Sequence, residues 1–238
     1  PLYEELLGLP ARGVDTEFAE FQRYLNVDIA ANLDRFIPVR AAFQQSGVSQ
    51  NNRLIERHPI NSGYLWTSYD FAGNKARQSL FEFPLGPGDG EFAFHHDGGE
   101  SIFSLPNGFQ GYYLNNSAGA HLPKGPTTIV RDISRRDLTV TNGISCMGCH
   151  DQGIRKARDE VRETVLASRT FPRSPREGVE ALSPPHEKMD AILEGDTQRF
   201  TNAMRSAGLD PTLKLNGVEM INALSTKFEA AADLRLVA

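Results

Sequence analysis

Phe18, Phe21, Leu25 and Ile29 recur at three- and four-residue intervals near the start of the chain, and Leu33, Phe36 and Val39 extend the pattern. That spacing puts apolar side chains on one face of a helix, so residues 15–45 read as helical, with Asp15 as the cap. Pro38 marks a break or kink, because its ring removes an amide donor and crowds the preceding turn. Ser46-Gly47 ends the segment.

Over residues 49–132 the texture changes. Gly and Pro separate short runs rich in aromatic and β-branched residues: Tyr64-Leu65-Trp66, Ser79-Leu80-Phe81-Glu82-Phe83, Glu91-Phe92-Ala93-Phe94, Ser101-Ile102-Phe103 and Gly111-Tyr112-Tyr113-Leu114. Asp97-Gly98-Gly99 and Pro106-Asn107-Gly108 are turn signals between them, so this stretch reads as an antiparallel meander. Phe92 and Phe94, then Phe103 and Leu105, alternate as inward-facing strand positions do.

Helical spacing returns after residue 133. Ile154, Ala157, Val161 and Val165 form one stripe; Met189, Leu193, Phe200 and Met204 form a second, beginning after Pro184-Pro185. A third opens at Asn216, with Glu219 three positions on as in a capping box, and is expected to bury Val218, Ile221, Leu224 and Phe228. The predicted class is therefore α+β: a helical segment over 1–48, a β-rich antiparallel section over 49–132 and a helical half over 133–238. These form three units or one continuous domain, 1–238.

Composition narrows the function classes. A hydrophobic fraction of 39% and a charged fraction of 23% are ordinary for a globular protein, and a net charge of −5 argues against a nucleic-acid surface. No apolar run reaches the ~20 residues that span a bilayer. The chain begins Pro1-Leu2, without an initiator Met or a signal-like apolar region, and is expected to be a mature form or an excised module.

The chemistry concentrates in Cys146-Met147-Gly148-Cys149-His150. A Cys-x-x-Cys-His box is the attachment site of a c-type haem: two thiols on one face of a helical turn bond two vinyl groups, and the histidine becomes the proximal iron ligand. Three other uses of such a pair are less favoured. A disulfide across so short a loop is strained and adds little stability. A thioredoxin-like pair sits in a βαβ pattern, which does not surround Asn142-Gly143-Ile144-Ser145. Structural zinc draws on a second closely spaced pair, and these are the only two cysteines. The expected cofactor is one covalently attached haem c with its iron. The helices after the box suit a small cytochrome c-like haem core. Haem c is attached outside the bacterial cytoplasm, so a periplasmic or extracellular protein with its signal peptide removed is expected, and two cysteines with none spare suit that compartment.

Longer blocks carry a resemblance. Ser46-Gly47-Val48-Ser49-Gln50-Asn51-Asn52-Arg53, Glu56-Arg57-His58, Trp66-Thr67-Ser68-Tyr69-Asp70-Phe71, His96-Asp97-Gly98-Gly99-Glu100, Leu105-Pro106-Asn107-Gly108-Phe109-Gln110-Gly111-Tyr112 and the stretch Asn142–His150 resemble an uncharacterised family of bacterial secreted monohaem cytochrome c modules. The match is close over residues 40–155 and looser to residue 235. The resemblance implies a redox partner protein, and by analogy with related modules an oxidative polysaccharide-degrading enzyme.

The sixth iron ligand separates the functional readings, because axial identity sets potential and access. His96 is the first candidate, with Asp97 and Glu100 close in sequence to orient its ring. Met220, Met189 and Met204 are the methionine candidates; His58, His121, His186 and an open site complete the set. Arg53, Arg57, Trp66 and Tyr69 are candidate partners for the haem propionates, which need cationic or hydrogen-bonding neighbours when partly buried. The expected function is electron transfer to or from a secreted redox partner, by a carrier with a six-coordinate haem. The alternative is a haem enzyme or ligand sensor, peroxidase-like, with an open iron face and an acid–base group drawn from His96, Glu100 or Arg57. A weaker third possibility gives Trp66, Tyr112 and Tyr113 to docking of a polysaccharide or protein.

Overall fold

The first apolar helical stripe is cut twice by local chemistry. Leu25 is followed by Asn26 in the left-handed region (φ 53°), and Pro38 forbids further helix before Val39. The computed structural model, which describes residues 2–46, 49 and 51–229, accordingly shows three short helices: α1 (Leu2–Leu7), α2 (Glu17–Leu25) and α3 (Ile29–Asp34). Val39 opens a strand instead of continuing the helix. Thr16, not Asp15, precedes α2. The carboxylate of Glu17 takes the backbone N–H groups of Gly13, Val14 and His121.

Five strands follow in simple antiparallel order: β1 (Val39–Gln44), β2 (Asn52–Ile60), β3 (Gly63–Asp70), β4 (Gly98–Ser104) and β5 (Gln110–Asn116). The meander holds, with different members. Ser79–Phe83 and Glu91–Phe94 lie in the long β3–β4 connection, whereas the polar stretch Asn52–Ile60 forms a strand. Gly98 and Gly99 open β4 instead of forming a turn, and Pro106-Asn107-Gly108 makes the β4–β5 turn. Gly99 has a packing reason: a Cβ there would stand 2.2 Å from the Ser68 carbonyl oxygen.

Strand alternation gives the sheet two buried faces. One carries Leu54, Tyr69, Leu65, Phe103 and Tyr113. Part of it packs under Phe21, Leu25 and Ile29, and part under Phe71, Leu80, Phe94, Val161, Val165 and Val179. The other face carries Ala41, Trp66, Ile102 and Tyr112, which pack with Cys146, Met189 and Leu193. Residues from all three sequence segments thus share these cores.

After the ribbon of β6 (Lys124–Gly125) and β7 (Val140–Thr141) come α4 (Ile144–Cys149), α5 (Val161–Ala167), α6 (Arg173–Leu182), α7 (His186–Ser206) and α8 (Met220–Glu229). The stripe beginning at Ile154 forms helix only from Val161. The preceding residues are committed elsewhere: Asp159 accepts the Ala42 N–H at 2.7 Å and Glu160 N–H donates to the Ala42 carbonyl, along the edge of β1. In α8, Glu219 rather than Asn216 caps, accepting the N–H groups of Ile221 and Asn222. Val218, Ile221 and Leu224 are 46%, 46% and 55% exposed, against the expected burial. The Phe228 side chain lies outside the described residues. Among the described residues no helix is long and apolar enough to cross a membrane.

Candidate functional site

The sheet face that carries Trp66 and Ile102 borders a cavity of about 400 Å³, within the usual range for ligand-sized pockets. Strand register arranges its floor in rows. Trp66 pairs with Ile102, Ile55 pairs with Ser68, and Phe43, Arg53, Asp70 and Gly98 run across the strand ends. Leu122, Val130 and Val140 supply an apolar wall around Leu114. The remaining wall is α4 with the loop after it, from Ser145 to Ala157.

Cys146, Cys149 and His150 all line this cavity. The two cysteines stand three positions apart on α4, a spacing that shares a helix face, and both are free thiols. Gly143 starts α4 with φ 75°, and the ring of Tyr3 lies 3.0 Å from where its Cβ would be, so the position combines left-handed backbone with close packing. Asn222 ties α8 to this short helix by donating to the Ile144 carbonyl at 2.6 Å.

His150 Nδ1 lies 3.1 Å from the Gly153 carbonyl. A carbonyl only accepts, so Nδ1 carries the proton and Nε2 keeps its lone pair. This backbone bond is the usual partner of a metal-ligating imidazole. Burial lowers the His150 pKa, which favours the neutral ring. Burial raises the pKa of both thiols, and the Glu100 carboxylate reinforces the shift.

A charged group forms part of the floor. Arg53 Nε–H donates to Asp70 at 2.6 Å, Ser68 Oγ–H donates to the other Asp70 oxygen at 2.8 Å, and Glu100 lies 3.9 Å from the Arg53 guanidinium. Burial pushes the Asp70 carboxyl up, with Arg53 opposing it.

The structure separates the other expected site residues. Arg53 and Trp66 line the cavity; Arg57 and Tyr69 do not. Arg57 is held in two hydrogen bonds by Asp196 of α7, at 2.7 and 2.9 Å, and Trp66 Nε1–H donates to the same carboxylate at 2.7 Å. Tyr69 points to the opposite face, as alternation from Ser68 and Asp70 requires, and its hydroxyl donates to Glu56 at 3.0 Å. His96 packs edge-on against Tyr69, ring centroids 5.0 Å apart, and so lies across the sheet from the cavity. His58 is buried on that side too, with Nε2–H donating to Glu56 and Nδ1 accepting from Asn32.

His121 is engaged with Tyr113 and Asn142, and His186 stands at the start of α7, 3.9 Å from Glu163. Met189 packs in the Cys146 cluster beneath Trp66 without lining the cavity; Met204 is on the last turn of α7, and Met220 is exposed. All six histidines and all four methionines fall within the described residues, and His150 alone among them lines the cavity.

Lys124, Arg155 and Lys156 also line it, and the sequence reading did not single them out. Their signal is a local excess of basic residues in an acidic chain. Among the described residues no three His, Cys, Asp or Glu side chains converge as a metal cage. Compared with protein-family models, curated proteins and solved structures, the chain has no match.

Proposed function

We propose that this chain is a monohaem c-type haem protein whose sixth iron position is left to an exchangeable ligand. The carrying observation is that both thiols and the His150 imidazole line one ligand-sized cavity that no other histidine or methionine lines. The donor set fits the group: two thiols for the vinyl edge, one imidazole with its distal nitrogen free of protons, and an apolar wall for the ring. Haem, when bound, supplies an iron that changes oxidation state and accepts an axial ligand.

The chain's own residues do the rest. Cys146 and Cys149 fix the ring on α4, the Gly153 carbonyl orients His150, and the Trp66–Ile102 face excludes water from one side. Of the three groups considered as an acid–base partner, Glu100 lines the cavity, whereas His96 and Arg57 do not. This geometry favours the ligand-binding or peroxidase-like reading over the electron carrier, which needs a second strong axial ligand. A periplasmic or extracellular location and a secreted redox partner remain part of the proposal; the box and the sequence resemblance support them.

The test is the ferric optical spectrum of the purified holoprotein with and without imidazole or cyanide. A high-spin spectrum that converts on ligand addition is expected. A low-spin spectrum with the charge-transfer band of methionine ligation, unchanged by either ligand, overturns the exchangeable position and restores the carrier.

A further inference from the structure

The cavity has an uncommitted cationic edge. Four carboxylates (Asp70, Asp97, Glu100, Asp132) and four cations (Arg53, Lys124, Arg155, Lys156) line it. Arg53 is spoken for by Asp70 and Glu100. Asp97 accepts from Ala72 and Gln78, and Asp132 from Ser134. No side-chain hydrogen bond or ion pair engages Lys124, Arg155 or Lys156 among the described residues. They belong to a stretch, residues 124–158, with seven Lys or Arg against three Asp, in a chain of net charge −5.

Their placement matches the shape of the expected ligand. In protoporphyrin the two propionates leave the ring from the edge opposite the two vinyls. Cys146 packs with Trp66, Ile102 and Tyr112 of the sheet face, so the vinyl edge belongs on the floor of the cavity and the opposite edge points away from the sheet. Arg155 and Lys156 line the cavity from the loop after α4, not from a strand, and the bonds of Asp159 and Glu160 to Ala42 fasten that loop to the edge of β1. Lys124 approaches from a separate segment, on the ribbon β6–β7. Carboxylates brought among the acids already present need cations that are not already paired.

We infer that Lys124, Arg155 and Lys156 form a clamp for the anionic, dicarboxylate edge of the porphyrin. Arg53, Arg57, Trp66 and Tyr69, the residues the sequence suggests for that role, are already bonded to Asp70, Asp196 and Glu56. The inference rests on the haem reading, and its test separates the two.

The full-length chain with Cys146→Ala and Cys149→Ala is titrated with ferric protoporphyrin IX and with its dimethyl ester, followed by absorbance and by tryptophan fluorescence. The free acid is expected to bind at least about tenfold more tightly than the uncharged ester, the size of one charge-assisted contact. Adding Lys124→Gln, Arg155→Gln and Lys156→Gln is expected to bring the ratio close to one with the ester affinity unchanged. A ratio that survives those three changes overturns the clamp while leaving the haem reading intact. Failure of both porphyrins to bind overturns the clamp, whereas the haem reading falls if the wild-type chain, matured with a c-type haem system, carries no haem.

Discussion

The hydrogen bond from His150 Nδ1 to Gly153 decides what the imidazole can do, because protonation at Nδ1 leaves Nε2 as the only donor atom for a metal. The box was legible in the sequence because its chemistry is local: three residues within five positions. His96 and Tyr69 were not legible as remote from it. Strand parity turns Tyr69 away from the face shared by Ser68 and Asp70, and His96, outside any strand, follows Tyr69 by packing edge-on against it. Arg57 finds its partner 139 residues away, a distance no motif carries. His96 then has a different role. Burial lowers its pKa from 6.5 to about 4, so the unfolded chain takes up the proton first as pH falls. Its contribution to stability is complete above the unfolded value and is lost on the way down to the folded one, at up to about 1.4 kcal/mol per pH unit. His96→Phe is expected to flatten that acid limb in denaturation midpoints measured from pH 7 to 4, and to leave the haem spectrum unchanged. A spectral change in this variant would return His96 to the iron.

At the scale of elements, β3, β4, β5 and α7 could be read from spacing and turn residues, but β2 could not. Its buried side chains include Arg53, Glu56 and His58, which periodicity counts as solvent-facing. They are buried because they are paired: Arg40 Nε–H donates to Glu56 at 2.5 Å, and His58 and Tyr69 share its other oxygen. Burial opposes ionisation of Glu56, and Arg40 and His58 outweigh it, so its carboxyl titrates below the usual range. Glu56→Gln leaves Arg40 without its charge partner and is expected to cost about 3–5 kcal/mol, read as a lower urea midpoint at unchanged slope. The fastening of α7 to the sheet makes a parallel prediction. Asp196→Ala strands both Arg57 and the Trp66 indole N–H, with an expected cost of about 3 kcal/mol. Asp196→Asn, which keeps an acceptor, is expected to lose less. Equal losses in the two variants would mean that packing, rather than these bonds, holds α7.

Over the whole molecule, the described residues of the helical half share their cores with the sheet. Val161 and Val165 pack with Ala42 and Leu54, and Cys146 packs with Trp66 and Tyr112. The sheet therefore forms the floor of the site, which explains why so much chain precedes the box. A fragment of residues 133–238 is expected to lack cooperative unfolding and dispersed amide resonances; a well-dispersed spectrum would show that the half folds alone. The central claim is that Cys146, Cys149 and His150 hold one haem covalently in this cavity. The most direct measurement is the intact mass of the denatured protein after expression with a c-type haem maturation system. The account predicts the mass of the chain plus one haem, reverting to the bare chain in the Cys146→Ala, Cys149→Ala variant. A wild-type mass equal to that of the bare chain, from material that carried its full haem absorbance before denaturation, would contradict it.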